Sequence, residues 1–167
     1  MTRPHEDLEI GVFRDDQPAL RSCLAGWDLF KCARPGFWDP WEEDERLELP
    51  VHQVLARPPG SAPLPEPWDP AGDELQFFLN DVDGGVWVCR RDPSVTRPVA
   101  EVQLRSASGL PIVAPEIQLL YKAKHHLDKD EYDFQRVVPR LSAEQREWLK
   151  HGLEVVHPGD PWLAQLG

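Results

Sequence analysis

The segment from Arg57 to Asp73 constrains this chain most, because it holds six prolines and two glycines. Proline removes a backbone donor and fixes φ, so neither a long helix nor a central strand runs through it. The stretch is therefore a loop or a linker, with regular elements on either side. A length of 167 residues suits one domain, or one small domain with a helical appendage. That is long enough to bury a core without covalent staples.

Before the proline-rich segment, Asp7 to Phe13 alternates polar and apolar residues, which predicts a half-buried strand. Asp15 or Asp16 is placed to cap a helix over Gln17 to Leu24, closed by Gly26. Trp27 to Lys31 reads as a second strand, and His52 to Ala56 as another. Arg34 to Leu49 is irregular, with a short strand near Phe37. After the segment, Glu74 to Asn80 alternates again. Asp83-Gly84 signals a hairpin returning through Val86 to Cys89. Val99 to Leu104 and Pro111 to Val113 suggest a further ribbon.

The character changes at Pro115, a good first helical residue. Ile117, Leu119, Leu120, Ala123 and Lys124 follow at helical spacing, and Asp130 to Val138 makes a second helix. Ser142-Ala143-Glu144-Gln145 is a capping box that opens a third, to about Val156. Asp160-Pro161 starts a last short turn. The expected fold is α+β, with a β-rich part over residues 1–113 and a helical segment over 114–167.

A formal charge of −11 repels phosphate backbones and argues against a nucleic-acid partner. Cys23, Cys32 and Cys89 are scattered and odd in number, which fits neither a disulfide framework nor a cysteine zinc site. No apolar run approaches the roughly 18 residues of a membrane span, and no secretory signal precedes the first strand. The expected location is the cytoplasm. Seven Trp suit a core or a ligand cleft equally.

Asp7 and Glu9 stand two apart on the first predicted strand, so both project from one face. Paired carboxylates on a rigid strand suit Mg²⁺, which takes oxygen ligands and shares them with phosphates. His125 and His126 are neighbours on one helix and diverge by about 100°, so they do not face one ion easily. Lys129 and Asp133 are spaced for a local ion pair.

The stretch Thr2-Arg3-Pro4-His5-Glu6-Asp7-Leu8-Glu9-Ile10 resembles the region around the metal motif of the nucleotidyltransferase superfamily. That motif is an Asp, an apolar residue, an Asp or Glu, and another apolar residue. The Thr-Arg-x-His before it is similar to the aminoglycoside and lincosamide nucleotidyltransferases. Pro115 to Lys124, Lys129-Asp130-x-x-Asp133-Phe134 and Glu154 to Leu163 resemble the helical segment of the aminoglycoside-2''-adenylyltransferase family.

The resemblance implies a nucleotidyltransferase-like mixed sheet with Asp7 and Glu9 as Mg²⁺ ligands and ATP as nucleotide donor. It places Arg3 and His5 at the mouth of the site. It gives Lys122, and after it Lys124, a role on the nucleotide. The acidic stretch from Asp28 to Glu48 would receive a cationic acceptor.

The sequence departs from the family in two ways. The family's first strand, its Gly-Gly or Gly-Ser turn and its first helix are missing upstream of Asp7, so the chain is expected to be N-terminally truncated. Apolar surface left by the missing helix implies poor solubility or self-association, such as a homo-oligomer. Where the family carries a third acid, this chain has Gln76, a neutral amide and a poor base. Glu74 lies on the same strand face and is the natural substitute. The expected activity is transfer of AMP from ATP to a hydroxyl of a small molecule such as an aminoglycoside. The alternative is a degenerate member that only binds.

Overall fold

The computed structural model describes residues 8–61, 64 and 74–167. The fold is mixed α and β, and the chain divides into two compact units at Val82/Asp83. The expected division at 113/114 follows the change in secondary-structure type, whereas the units follow packing. The second unit accordingly holds short ribbons as well as helices.

The first unit is a sheet with one helix. Its elements are β1 (Glu9–Phe13), α1 (Gln17–Cys23), β2 (Asp28–Arg34), β3 (Phe37–Pro40), β4 (Gln53–Arg57) and β5 (Leu75–Asp83). The strand order within it is β3-β2-β4-β5, and β1 pairs with β5. β1–β5 is parallel, whereas β2–β3, β2–β4 and β4–β5 are antiparallel.

Alternation along the strands sends Ile10, Val12, Val54, Ala56, Phe77 and Leu79 to one face, where they pack with Leu20 and Leu24 of α1 and with Trp41 and Leu47. Each such buried aliphatic or aromatic side chain contributes about 1.5–3 kcal/mol. Asp16 occupies the position before α1 but makes no capping bond, and Asp15 pairs instead with Arg46 at 2.6 Å. The expected carboxylate cap is thus absent, and Pro18 sits in the first turn of the helix, where its missing N–H costs nothing.

Arg14, buried directly after β1, fastens this unit internally. It makes a two-pronged contact to Asp81, at 2.5 and 3.1 Å, and donates to the carbonyls of Leu47 and Val51.

At the turn joining β5 to the next strand, Gly84 and Gly85 carry φ of +54° and +84°. Those are the values a two-residue I′ turn demands and other residues resist.

The second unit contains β6 (Val86–Val88) with β7 (Thr96–Pro98), and β8 (Gln103–Arg105) with β9 (Pro111–Val113). Four helices follow: α2 (Pro115–Lys122), α3 (Asp128–Val137), α4 (Ala143–Val156) and α5 (Leu163–Leu166). The predicted capping box forms, with Ser142 Oγ accepting from Gln145 N and Gln145 Oε1 accepting from Ser142 N. Gly152 of α4 lies against Leu120 of α2, where a Cβ would stand 3.3 Å from both Leu120 methyls. Trp162 is fully buried and stacks on Phe134 at 4.2 Å. No helix among the described residues is long and apolar enough to cross a membrane.

Candidate functional site

Residues opposite each other in a sheet share a face. In the first unit this rule sets one row against the apolar core. Glu9 of β1 is the register partner of Gln76 on β5, and Gln76 is the partner of Leu55 on β4. Leu55 in turn faces Phe30 on β2. One pleat along, Arg57 is the partner of Asp28 and forms an ion pair with Glu74, Nε to Oε1 at 3.5 Å. The face opposite the core therefore gathers Glu9, Glu74, Gln76, Arg57 and Asp28.

This arrangement places three of the expected residues together, namely Glu9, Gln76 and Glu74. Arg3, His5 and Asp7 lie outside the described residues. Glu9 is exposed, while Gln76 and Glu74 are half-buried. Asp81 belongs to the other parity of β5 and is held by Arg14. A concavity of about 210 Å³ lies at that end of β1, lined by Phe13, Arg14, Asp15, Arg46, Glu48, Asp81 and Val82. Its charges already pair with one another, so its chemistry is that of an internal clasp.

Oxygen-only donors suit a hard cation such as Mg²⁺, so the carboxylates of Glu9 and Glu74 and the amide oxygen of Gln76 are of the right type. Among the described residues no group of three His, Cys, Asp or Glu side chains could hold a metal by itself. Glu9, Glu74 and Gln76 would by themselves make only part of a Mg²⁺ shell, which ordinarily includes water and phosphate oxygens as well.

Lys122 and Lys124 belong to the second unit. The Lys122 ammonium sits 2.7 Å from Asp130 and 3.0 Å from Asp133. Burial opposes its charge, yet the two carboxylates outweigh that and raise its pKa above the ordinary lysine value. Asp133 thus meets Lys122 of α2, a partner its own helix spacing did not suggest. The contact ties α2 to α3. Lys124 is exposed just beyond the end of α2.

His126 is likewise committed. Its Nδ1 lies 2.7 Å from Glu131 and its Nε2 2.9 Å from Asp160. Burial disfavours the imidazolium, but these two carboxylates prevail and its pKa is raised. His157 behaves oppositely. Burial first, then the neighbouring Arg91, lowers its pKa, and its Nε2 lies 3.0 Å from Arg91 Nη1.

The acidic stretch is partly neutralised from within. Lys31 pairs with Glu45, and Arg46 with Glu48. Arg21 stacks over Trp41 at 3.7 Å. Asp39, Glu42, Glu43 and Asp44 remain exposed. Sequence reasoning missed Arg57. The available signal was parity, since Arg57 stands two residues beyond Leu55 on β4 and so shares its face.

No family model and no curated protein sequence matches the chain.

Proposed function

We propose that the chain is a nucleotidyltransferase-like protein that transfers AMP from ATP to a hydroxyl of a small molecule such as an aminoglycoside. The observation that supports this best is the register of Glu9 against Gln76 on adjacent parallel strands, with Glu74 one pleat away on the same face. Asp7, two residues before Glu9 in the sequence, joins this set in the proposal. In the reaction the acceptor oxygen attacks the α-phosphorus of ATP. The bond from that phosphorus to the bridging oxygen breaks, and pyrophosphate leaves. The hydroxyl proton passes to a carboxylate. Glu9 and Glu74 carry the charge to accept it, whereas the Gln76 amide does not. Mg²⁺, when bound, would offset phosphate charge and acidify the attacking hydroxyl. The exposed Asp39, Glu43 and Asp44 offer a cationic acceptor complementary charge.

The test is ATP-dependent adenylylation of a panel of aminoglycosides, read by mass spectrometry. Glu9→Gln and Asp7→Asn should abolish product while leaving the thermal unfolding curve unchanged. Absence of product from the natural sequence, or product indifferent to both substitutions, would sink the reading.

A second reading is a binding domain without catalysis, favoured by the amide that faces Glu9 where a third carboxylate is needed. Calorimetry separates the two when set beside the assay. Mg²⁺-dependent ATP binding without transfer to any acceptor supports this second reading.

A further inference from the structure

The ribbon of β8 and β9 forms a two-stranded sheet of its own among the described residues, and every residue of both strands is exposed. A lone two-stranded ribbon is marginal in water. Its register is nonetheless fixed. Gly109, at φ +82°, closes the turn; Gly109 N donates to Ser106 O at 2.9 Å and Ser106 N to Leu110 O at 2.8 Å. At the other end Ala114 N donates to Val102 O at 2.8 Å. Alternation then makes Leu104 and Ile112 the hydrogen-bonded pair between these two.

The same parity turns the remaining backbone groups outward. Gln103 and Arg105 direct N–H and C=O to the outer edge of β8, as Pro111 and Val113 do on β9. Pro111 has no N–H, so the β9 edge is blunted. The β8 edge keeps both donors, and no backbone group of another element among the described residues meets them. Arg105 is the one charge in residues 102–115 of a chain with net charge −11. It does not guard the edge, because its Nη1 is held by its own turn, 2.9 Å from Gly109 O. The even positions make one apolar face. Ala114 is buried at its base, and Leu104, Ile112 and Leu110 continue it outward at 43%, 48% and 65% exposure.

We propose that β8 is a dimerisation edge, on which β8 of a second copy of this chain pairs antiparallel about a two-fold axis at Leu104. In that register Gln103 of each copy bonds Arg105 of the other, and every outward N–H and C=O of the two strands is used. Leu104 faces Leu104 as the close pair, Cα to Cα about 4.5 Å, so the two apolar faces become one. Other axes fail. An axis at Arg105 sets guanidinium directly against guanidinium, which destabilises a pair. An axis at Gln103 sets Arg105 against Glu101, which lies in a helical turn and not in a strand. With the axis at Leu104, each Arg105 approaches the start of the other β8, where the Glu101 side chain is 45% exposed, so the charges there are complementary. Pro111 then lines both outer edges of a four-stranded sheet, and addition stops at two copies.

The experiment is sedimentation velocity of the full chain across a concentration series, with hydrogen exchange of the Gln103 and Arg105 amides. The expected result is a monomer–dimer equilibrium with no larger species, and protection of those amides that rises with concentration. Arg105→Pro removes one outward N–H per copy and should weaken the dimer by about tenfold or more, while Arg105→Gln keeps the N–H and the dimer. Leu104→Lys and Leu104→Glu should each be monomeric alone, because like charges meet at the axis, and should form a heterodimer when mixed. Should Arg105→Pro fail to fold, the Leu104 pair decides, since that side chain is exposed. A chain that stays monomeric with unprotected amides overturns the proposal and leaves the edge to a different partner. Protection independent of concentration also overturns it, since a segment of the same chain then covers the edge. So do open-ended growth, a dimer indifferent to Arg105→Pro, and Leu104 variants that pair no better mixed than alone.

Discussion

Replacing Glu116 with alanine should unfasten the second unit. Glu116 lies in the first turn of α2 with no exposed surface. Its Oε1 is 2.9 Å from Arg97 Nη2, and its Oε2 accepts a hydrogen bond from Gln145 Nε2, also at 2.9 Å. One carboxylate thus ties β7 and α4 to α2. The Oε1 contact lies out of line for a hydrogen bond, so its value is Coulombic. Arg97 is itself buried and keeps two further neighbours, Glu101 at 3.4 Å and the Trp148 ring at 5.2 Å.

Breaking a buried pair by removing one partner costs about 3–5 kcal/mol, because the remaining charge is stranded. Glu101 survives as a half-exposed substitute, which puts the expected loss near the lower end, about 3 kcal/mol. For a unit of this size each kcal/mol moves Tm by about 4–8 °C, so the second unit should melt roughly 12–24 °C lower. Differential scanning calorimetry reads the shift, and hydrogen exchange of the α2 and α4 amides locates it. Changing both partners, Arg97→Met with Glu116→Met, should return most of the loss, since no charge is then stranded. A Glu116→Ala protein within about 1 kcal/mol of the natural one would refute the reasoning. So would a double variant no more stable than Glu116→Ala.

Other outcomes follow from the same contacts. His126 has a folded-state pKa above the unfolded value of about 6.5, so its stabilisation is full below that pH and fades as pH rises through the raised value. Urea denaturation between pH 6 and 9 should show this decline, and His126→Gln should flatten it; an unchanged slope contradicts the clamp. Ser142→Ala removes the cap of α4 and should cost about 1 kcal/mol in the same assay, and no change would mean that the helix end is satisfied otherwise. Gln76→Glu should tighten Mn²⁺ binding, because it adds a charged oxygen donor beside Glu9; weaker binding would place Gln76 away from the ion. Light scattering should show self-association through exposed apolar side chains such as Leu8 and Leu110, and a clean monomer counts against it.

Local rules carried the sequence reading a long way. Alternation marked β1 and β5 to within three residues, and the box at Ser142 placed the start of α4. Parity alone predicted that Glu74 and Gln76 share a face. What pattern could not show was pairing across distance. Helical spacing pointed only to Lys129 for Asp133, whereas its contact with Lys122 arises because α2 packs on α3 and brings a half-buried ammonium between two carboxylates. β7, with Arg97 and Pro98, has three residues and no alternation long enough to register. Arg57 looked like the start of a proline loop, and its role on the sheet face depends on β2 and β5, both remote in sequence.

The parallel contact of β1 with β5 has a consequence for how the candidate site comes into being. Glu9 and Gln76 are 67 positions apart, as are Arg14 and Asp81. No local element brings either pair together, and closing a loop of that length opposes folding by its entropy before any contact offsets it. Pairings of this kind lower folding rates. During synthesis Glu9 leaves the ribosome long before its partner exists, so the carboxylate row cannot be assembled until nearly the whole first unit has emerged. The juxtaposition of Glu9 with Gln76 should therefore be a late-forming feature, absent from nascent chains that end at β4.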